Sequence, residues 1–327
     1  MKITMAHGSG GVATEELIRE VFARRFNNEY LSAMEDAAVL PEGEGRITLT
    51  TDSFVVDPVF FPGGDIGMLA VCGTINDILM SGAVPRYLTC SFILEEGLGL
   101  HELDKLVSSM ADAADRANVK IVAGDTKVIG GTGGVLINTT GLGFLPEGRT
   151  VSPKRCAPGD VLLLSGNLGD HHAAILSARM GVKNNIKSDA ALLVEPVKAL
   201  FDAGVDVKAM RDITRGGLAT ILNEFAASSG CGMEILEEDI PVSPAVRAFC
   251  GVLGLDPLYM GNEGKMIVAV NAKDKEKALS VLRATKLGKD AAAIGKVLKE
   301  KGVTLKTRVG GRRVLNVLYG EGLPRIC

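Results

Sequence analysis

Between Leu145 and Asp160 the chain places three prolines, two glycines and a run of charged residues. Proline removes a backbone donor and fixes its own φ, so neither a helix nor a central strand passes through such a stretch. The chain must therefore break here, into a unit over residues 1–147 and another over 155–318. The length of 327 residues suits two domains of about 100–200 residues each. Both sides mix the two periodicities. Before the break, Arg46 to Asp52, Arg86 to Leu94, Val119 to Ala123 and Gly133 to Phe144 read as strands. Ala13 to Phe26, Asp65 to Met80 and Leu100 to Ala117 read as helices. After it, Val161 to Leu164, Lys265 to Val270 and Ala291 to Leu298 read as strands, with helices over His171 to Met180, Leu192 to Gly204 and Asp274 to Thr285. Pro196 is expected to interrupt the second of these helices. Gly310-Gly311, between Val303 to Val309 and Arg312 to Leu318, signals a hairpin. The pattern gives a mixed α/β chain in two lobes, with residues 319–327 left as a short tail.

Charge and composition remove several functions. Lys and Arg number 36 against 39 Asp and Glu, a net charge of −3, which leaves no electrostatic footprint for nucleic acid or an anionic membrane. No apolar run approaches the roughly 18 residues of a membrane span, and the first residues reach glycine too early for a signal-peptide core. The six cysteines form no C-x-x-C pair, so a zinc ribbon or thioredoxin motif is absent. Cytoplasmic thiols packed as small hydrophobes are the expectation for most of them. Cys327, the last residue, has no core to pack into.

Three carboxylates follow one pattern, an apolar strand running into a Gly/Thr turn that carries an acid: Asp52, Asp125 and Asp212. Asp36 and Asp77 add two more in small-residue surroundings. Taken singly, each reads best as a turn former or helix cap. Taken together they suit a hard dication, which needs oxygen ligands and often shares them with substrate phosphates. Glycine-rich turns such as His7 to Gly11 can offer N–H groups to phosphate oxygens. Gly8 to Ala13 also fits a dinucleotide fingerprint, but no βαβ repeat comes after it, so a Rossmann oxidoreductase is the weakest reading. No P-loop pattern exists. Lys127 is a candidate phosphate ligand. Asn262-Glu263-Gly264-Lys265 puts an acid and a base on one turn, which in isolation reads as a surface hairpin. His171 and His172 are adjacent, so both cannot face one metal from a helix, and one of them is expected at the surface.

These motifs together resemble the NiFe-hydrogenase maturation family HypE. The residues that carry the likeness are His7 to Gly11, Glu35 to Val39, Thr50-Thr51-Asp52, Gly73 to Ile78, Gly82 to Pro85, Gly124 to Lys127, Gly169-Asp170-His171, Asp212 to Leu218, Asn262 to Lys265 and the terminal Pro324-Arg325-Ile326-Cys327. The internal motifs are similar to the wider ATP-binding superfamily of aminoimidazole ribonucleotide synthetase and selenophosphate synthetase. The resemblance implies an α+β, two-domain aminoimidazole ribonucleotide synthetase-like fold with a flexible C-terminal tail, and a homodimer formed through the N-terminal sheet. It implies ATP and Mg²⁺, a carbamoyl group loaded on Cys327 by the carbamoyltransferase HypF, and ATP-dependent dehydration to a thiocyanate. Cyanide then passes to iron on the HypC–HypD complex. By the same carry-over Asp36, Asp52, Asp77 and Asp212 hold the metal, and Gly8, Gly10, Asn76, Asp125, Thr126 and Arg215 contact the nucleotide. Glu263 or His171 is the base, and Lys127 holds the phosphate or imidate. A related phosphotransferase or synthetase, of the thiamine-phosphate kinase or selenophosphate synthetase type, would use the acids without Cys327. A non-catalytic thiol carrier would use Cys327 without ATP.

Overall fold

The structure is a computed structural model, and it describes residues 1–35 and 37–317. The first half is built on helix α2 (Ile66–Met80), which buries 13 of its 15 residues. Asp65 starts it, accepting the Met68 N–H at 2.9 Å and the Ser109 hydroxyl at 2.6 Å. Gly67 lets helix α3 (Leu100–Arg116) pack close, since a Cβ there would lie 2.3 Å from the Leu106 carbonyl oxygen. The expected helix over 13–26 starts as α1 (Val12–Leu17) and widens into a π-helical turn, Ile18–Ala23.

Strands β1 (Arg46–Phe54), β4 (Val84–Glu95), β5 (Lys120–Ile129) and β6 (Val135–Leu145) form one sheet in the order β1-β6-β4-β5. Only the β4–β5 pair is parallel. A two-residue ribbon, β2 (Phe60–Phe61) and β3 (Gly64–Asp65), leads into α2. Asp52 and Asp125 do not sit in turns after strands. Each lies inside a strand, because Ser53-Phe54 and Thr126 to Ile129 carry on the ladder. Register then decides their faces. Asp52 shares a row with Thr139, Cys90 and Gly124, whereas Asp125 shares one with Ser91, Asn138 and Ser53. Successive residues point to opposite faces. Asp52 therefore faces α2, and Asp125 faces the side no helix covers.

The second sheet has seven strands in the order β13-β12-β9-β11-β7-β10-β8. These are β7 (Val161–Leu164), β8 (Val207–Asp212), β9 (Gly232–Leu236), β10 (Met266–Val270), β11 (Ala292–Leu298), β12 (Gly302–Lys306) and β13 (Arg312–Val314). The Gly310-Gly311 hairpin joins β12 to β13, as the signal required. Helices α4 (Asp170–Arg179), α5 (Val194–Asp202), α6 (Gly217–Ser229), α7 (Pro244–Leu253) and α8 (Lys275–Arg283) accompany it. Pro196 does not interrupt α5. It lies in the first turn, where the backbone N–H has no intrahelical acceptor to lose. One apolar core runs from Leu69 and Ile75 of α2 through Val197 and Leu200 of α5 to Met210 and Val268 of the second sheet. Among the described residues no helix is long and apolar enough to cross a membrane.

Candidate functional site

Where α2 meets the second sheet, acids from three elements converge. Asp52 comes from β1, Asp77 from the last turns of α2 and Asp212 from the end of β8. Gly73 makes room for the Phe54 ring, which would stand 2.9 Å from a Cβ at that position, two residues along β1 from Asp52. Thr50 donates to Asp77 at 3.1 Å. Burial pushes all three carboxyls up, and their charges raise one another: Asp52 acts on Asp77, and both act on Asp212. Asp212 is raised to about 7, with Arg211 pulling the other way. Arg215 counters the rise at Asp52.

Glu263 completes the group. It is buried, and desolvation followed by the charges of Asp212, Asp189, Asp52 and Asp77 raises it well above the usual carboxylate range. The Asn262–Lys265 segment is thus not a surface hairpin. Asn262 is fully buried; its Oδ1 accepts from the Gly169 N–H at 2.7 Å and its amide donates to the carbonyls of Ile213 and Met260. These bonds tie the segment to the β7–α4 and β8–α6 turns, which draws it inward.

Neither histidine is at the surface. His171 Nδ1 shares a 2.7 Å hydrogen bond with the Ser188 hydroxyl, and Phe61 meets its ring edge-on at 5.5 Å. Burial pushes both His171 and His172 down to about 4, so each is neutral at physiological pH. The apolar run through Ala173-Ala174-Ile175 buries this helix on all sides, which overrides the polar reading of the pair.

Gly8, Gly10, Asp125, Thr126 and Lys127 come together elsewhere. They line a cleft of about 390 Å³ with Glu35 and Phe92, within the size range of small-molecule sites. Lys127 donates to Asp125 at 2.8 Å, and both are exposed. A groove of about 1200 Å³ at the other end of the first sheet, bordered by Arg46, Arg86, Lys120 and Arg149, contains none of the expected residues. Asn76 turns its amide to the backbone, donating to the Ala191 carbonyl at 3.0 Å and accepting the Leu193 N–H at 2.9 Å. Asp36 and Cys327 lie outside the described residues. Among those described, no three His, Cys, Asp or Glu side chains group tightly enough to hold a metal unaided.

Asp189 is the site residue that sequence reasoning missed. Its Oδ1 accepts the Glu263 N–H at 3.0 Å, and its Oδ2 lies 3.1 Å from the buried Lys265 ammonium. Nothing in Lys187-Ser188-Asp189-Ala190 distinguishes it from an ordinary polar loop.

Two domain patterns of AIR synthase related proteins match the chain, the N-terminal domain over residues 34–145 and the C-terminal domain over 157–308. The carbamoyl dehydratase HypE of Escherichia coli (strain K12) is 48% identical over 99% of each chain. A crystal structure of the hydrogenase maturation protein HypE in complex with ATP superposes with a TM-score of 0.94 at 46% identity, covering 99% of both chains. A HypE–HypF complex structure gives 0.81 at 50% identity over 92% of this chain and 99% of that one. A thiamine monophosphate kinase from Aquifex aeolicus, at 22% identity and a TM-score of 0.62 over 82% of this chain and 89% of that one, shares the fold alone. The chain belongs to the AIR synthase related family and, within it, to the HypE carbamoyl dehydratases of hydrogenase maturation.

Proposed function

We propose that the chain dehydrates a carbamoyl group carried as a thiocarboxamide on Cys327, using ATP. The observation that carries this reading is the convergence of Asp52, Asp77 and Asp212 with the buried Glu263 where α2 meets the second sheet. An amide oxygen leaves poorly, so it must first be phosphorylated. The carbamoyl oxygen attacks the γ-phosphorus, the bond to the β,γ-bridging oxygen breaks with its electron pair on ADP, and the nitrogen gives up one proton. The nitrogen then gives up its second proton, the C–O bond breaks with its pair leaving on phosphate, and the nitrile forms. The sum is thiocarboxamide plus ATP to thiocyanate, ADP and phosphate.

Glu263 in its ionised form accepts the nitrogen's proton; a raised proton affinity suits a base for so weak an acid. His171, neutral and with no described partner at Nε2, is the second candidate for that role. Carboxyls that stay raised although Arg211 and Arg215 pull the other way are acids gathered with too little counter-charge, which fits a dication. Asp52, Asp77 and Asp212, with Asp36, would hold Mg²⁺ together with nucleotide phosphates. Bound there, Mg²⁺ would neutralise charge on the transferring phosphoryl group. Gly8, Gly10, Asp125, Thr126, Arg215 and Lys127 serve the nucleotide and its phosphates. The ATP complex and the HypF complex of similar proteins support ATP as substrate and a carbamoyltransferase as loading partner. The HypC–HypD complex receives the cyanide, in the cytoplasm. The two units, 1–147 and 155–318, bring the two sides of this site together.

Intact mass tests the reading. Incubation with HypF, carbamoyl phosphate and ATP should add a carbamoyl group and then remove one water; a chain that gains the first and never loses the second refutes the dehydratase.

The uncovered face of the first sheet exposes Ile47 by 70% and Leu49 by 66%. Two apolar side chains in adjacent same-face positions of one strand suit burial against a second copy, so a homodimer is part of the proposal. Ile47→Asp with Leu49→Asp should leave a folded monomer by light scattering. A dimer that survives the double substitution places the interface elsewhere.

A further inference from the structure

Asp52 and Asp77 belong to the first half of the chain, Asp212 and Glu263 to the second, and residues 188–193 link the two sides without any regular secondary structure. Almost every polar contact this strap makes crosses to one half or the other. Toward the first half, the Ser188 N–H donates to the Pro62 carbonyl at 2.7 Å. Asn76 holds the Ala191 carbonyl and the Leu193 N–H from within α2, one residue before Asp77. Toward the second half, the Ala191 N–H donates to the Glu263 carbonyl at 3.2 Å, and Asp189 accepts the Glu263 N–H at 3.0 Å. Both backbone polar groups of Glu263 therefore end on the strap. Lys265 fixes Asp189 from below at 3.1 Å, and His171 fixes Ser188 at 2.7 Å. Gly264 permits the approach: a Cβ there would lie 2.0 Å from the Asp189 carbonyl oxygen.

Asn76 and Asp189 thus form the two ends of one linkage, from the helix that carries Asp77 to the peptide groups that carry Glu263. Asn76 is buried, and both its amide nitrogen and its amide oxygen are committed to the strap's backbone. We infer that Asn76 is a positioning residue: through the strap it sets where the Glu263 carboxylate stands relative to the phosphoryl site. The inference rests on the proposed dehydration and assigns Asn76 a part in it other than nucleotide contact. A misplacement of about 1 Å in a reacting group can cost on the order of a hundredfold in rate, so the linkage has leverage.

The test uses the full-length chain, loaded with carbamoyl by its HypF partner, with ATP affinity measured separately by equilibrium binding. Asn76→Ala should slow conversion of the loaded thiocarboxamide at saturating ATP by at least about tenfold, while the Kd for ATP stays within about twofold. Amide exchange at Ala191, Leu193 and Glu263 should rise together. Asp189→Ala should give the same signature from the other end of the strap, and it decides the matter if Asn76→Ala does not fold. Ser229→Ala, which removes side-chain ties to the Phe225 carbonyl and the Cys231 N–H at the C-terminal end of α6, should give neither effect. An ATP affinity that falls in step with the rate makes Asn76 a nucleotide ligand and overturns the inference. So does a slowed reaction with unchanged exchange at Glu263, or a wild-type rate. The exchange measurement needs no reaction, so an unsubstituted chain that never dehydrates refutes the activity while leaving the strap to be judged by exchange alone.

Discussion

A chain carrying Glu263→Gln is expected to accept the carbamoyl group on Cys327 and then stall, accumulating the carbamoylated form in the presence of ATP. Glutamine keeps the shape and the backbone contacts to Ala191 and Asp189 but cannot take a proton. General-base assistance contributes about 10²–10⁴-fold, so conversion should fall by that much while ATP affinity holds. Cys327→Ala is the blank, taking up no carbamoyl at all. Intact mass separates the three states. If Glu263→Gln loses water at the unsubstituted rate, Glu263 is not the base, and His171, buried beside Ser188, becomes the residue to substitute.

Asp212→Asn should abolish activity and stabilise the protein, in a pH-dependent way. Burial, then the charge of Asp77, raises the folded value to about 7, against about 3.9 for a free Asp. Between those values the folded chain holds a proton that the unfolded chain has released, so stability falls as pH rises through that window. Above the folded value the deficit is fully present, and below the unfolded value it is absent. Asparagine never ionises and removes it. Ionising a carboxyl held at about 7 instead of about 3.9 costs on the order of 4 kcal/mol. Taking roughly 2 °C per kcal/mol for a chain of this length, Tm should rise by about 8 °C at pH 8 and stay unchanged near pH 4. Activity should drop by about a hundredfold or more with a dication ligand gone. Equal Tm gains at both pH values would show that Asp212 is not the group that is penalised. Stability given up at a working site is the usual exchange for function.

Much of the fold was legible because strong periodicity survives in single segments. Asp65 to Met80 announced α2 through its small apolar residues and its capping acid, and Gly310-Gly311 announced the last hairpin. Strand β9 and helix α7 went unread, since Gly232 to Leu236 is short and buried on both faces, with no polar and apolar alternation to mark it, and α7 hides behind Pro244. The acids were readable as a set, but their faces were not. Whether Asp52 and Asp125 share a site is settled by strand register, a pairing between distant segments that no local window contains. Asp189 was illegible for a related reason: its meaning comes from Glu263 and Lys265, more than seventy residues away.

The end of the second sheet has a consequence for how the thiol can work. Leu315 is buried, its N–H bonded to the Val303 carbonyl at 2.9 Å and its carbonyl held by Asn223 at 3.0 Å, so it is a fixed anchor point. Cys327 is twelve steps along the chain from it, which at about 3.3 Å each caps their separation at roughly 40 Å. In the proposed reaction, loading, dehydration and delivery then all draw on a single sulfur per chain, never farther than that from Leu315. Throughput is counted in visits of partners to one sulfur, and a saturating supply of free carbamoyl donor cannot raise it further.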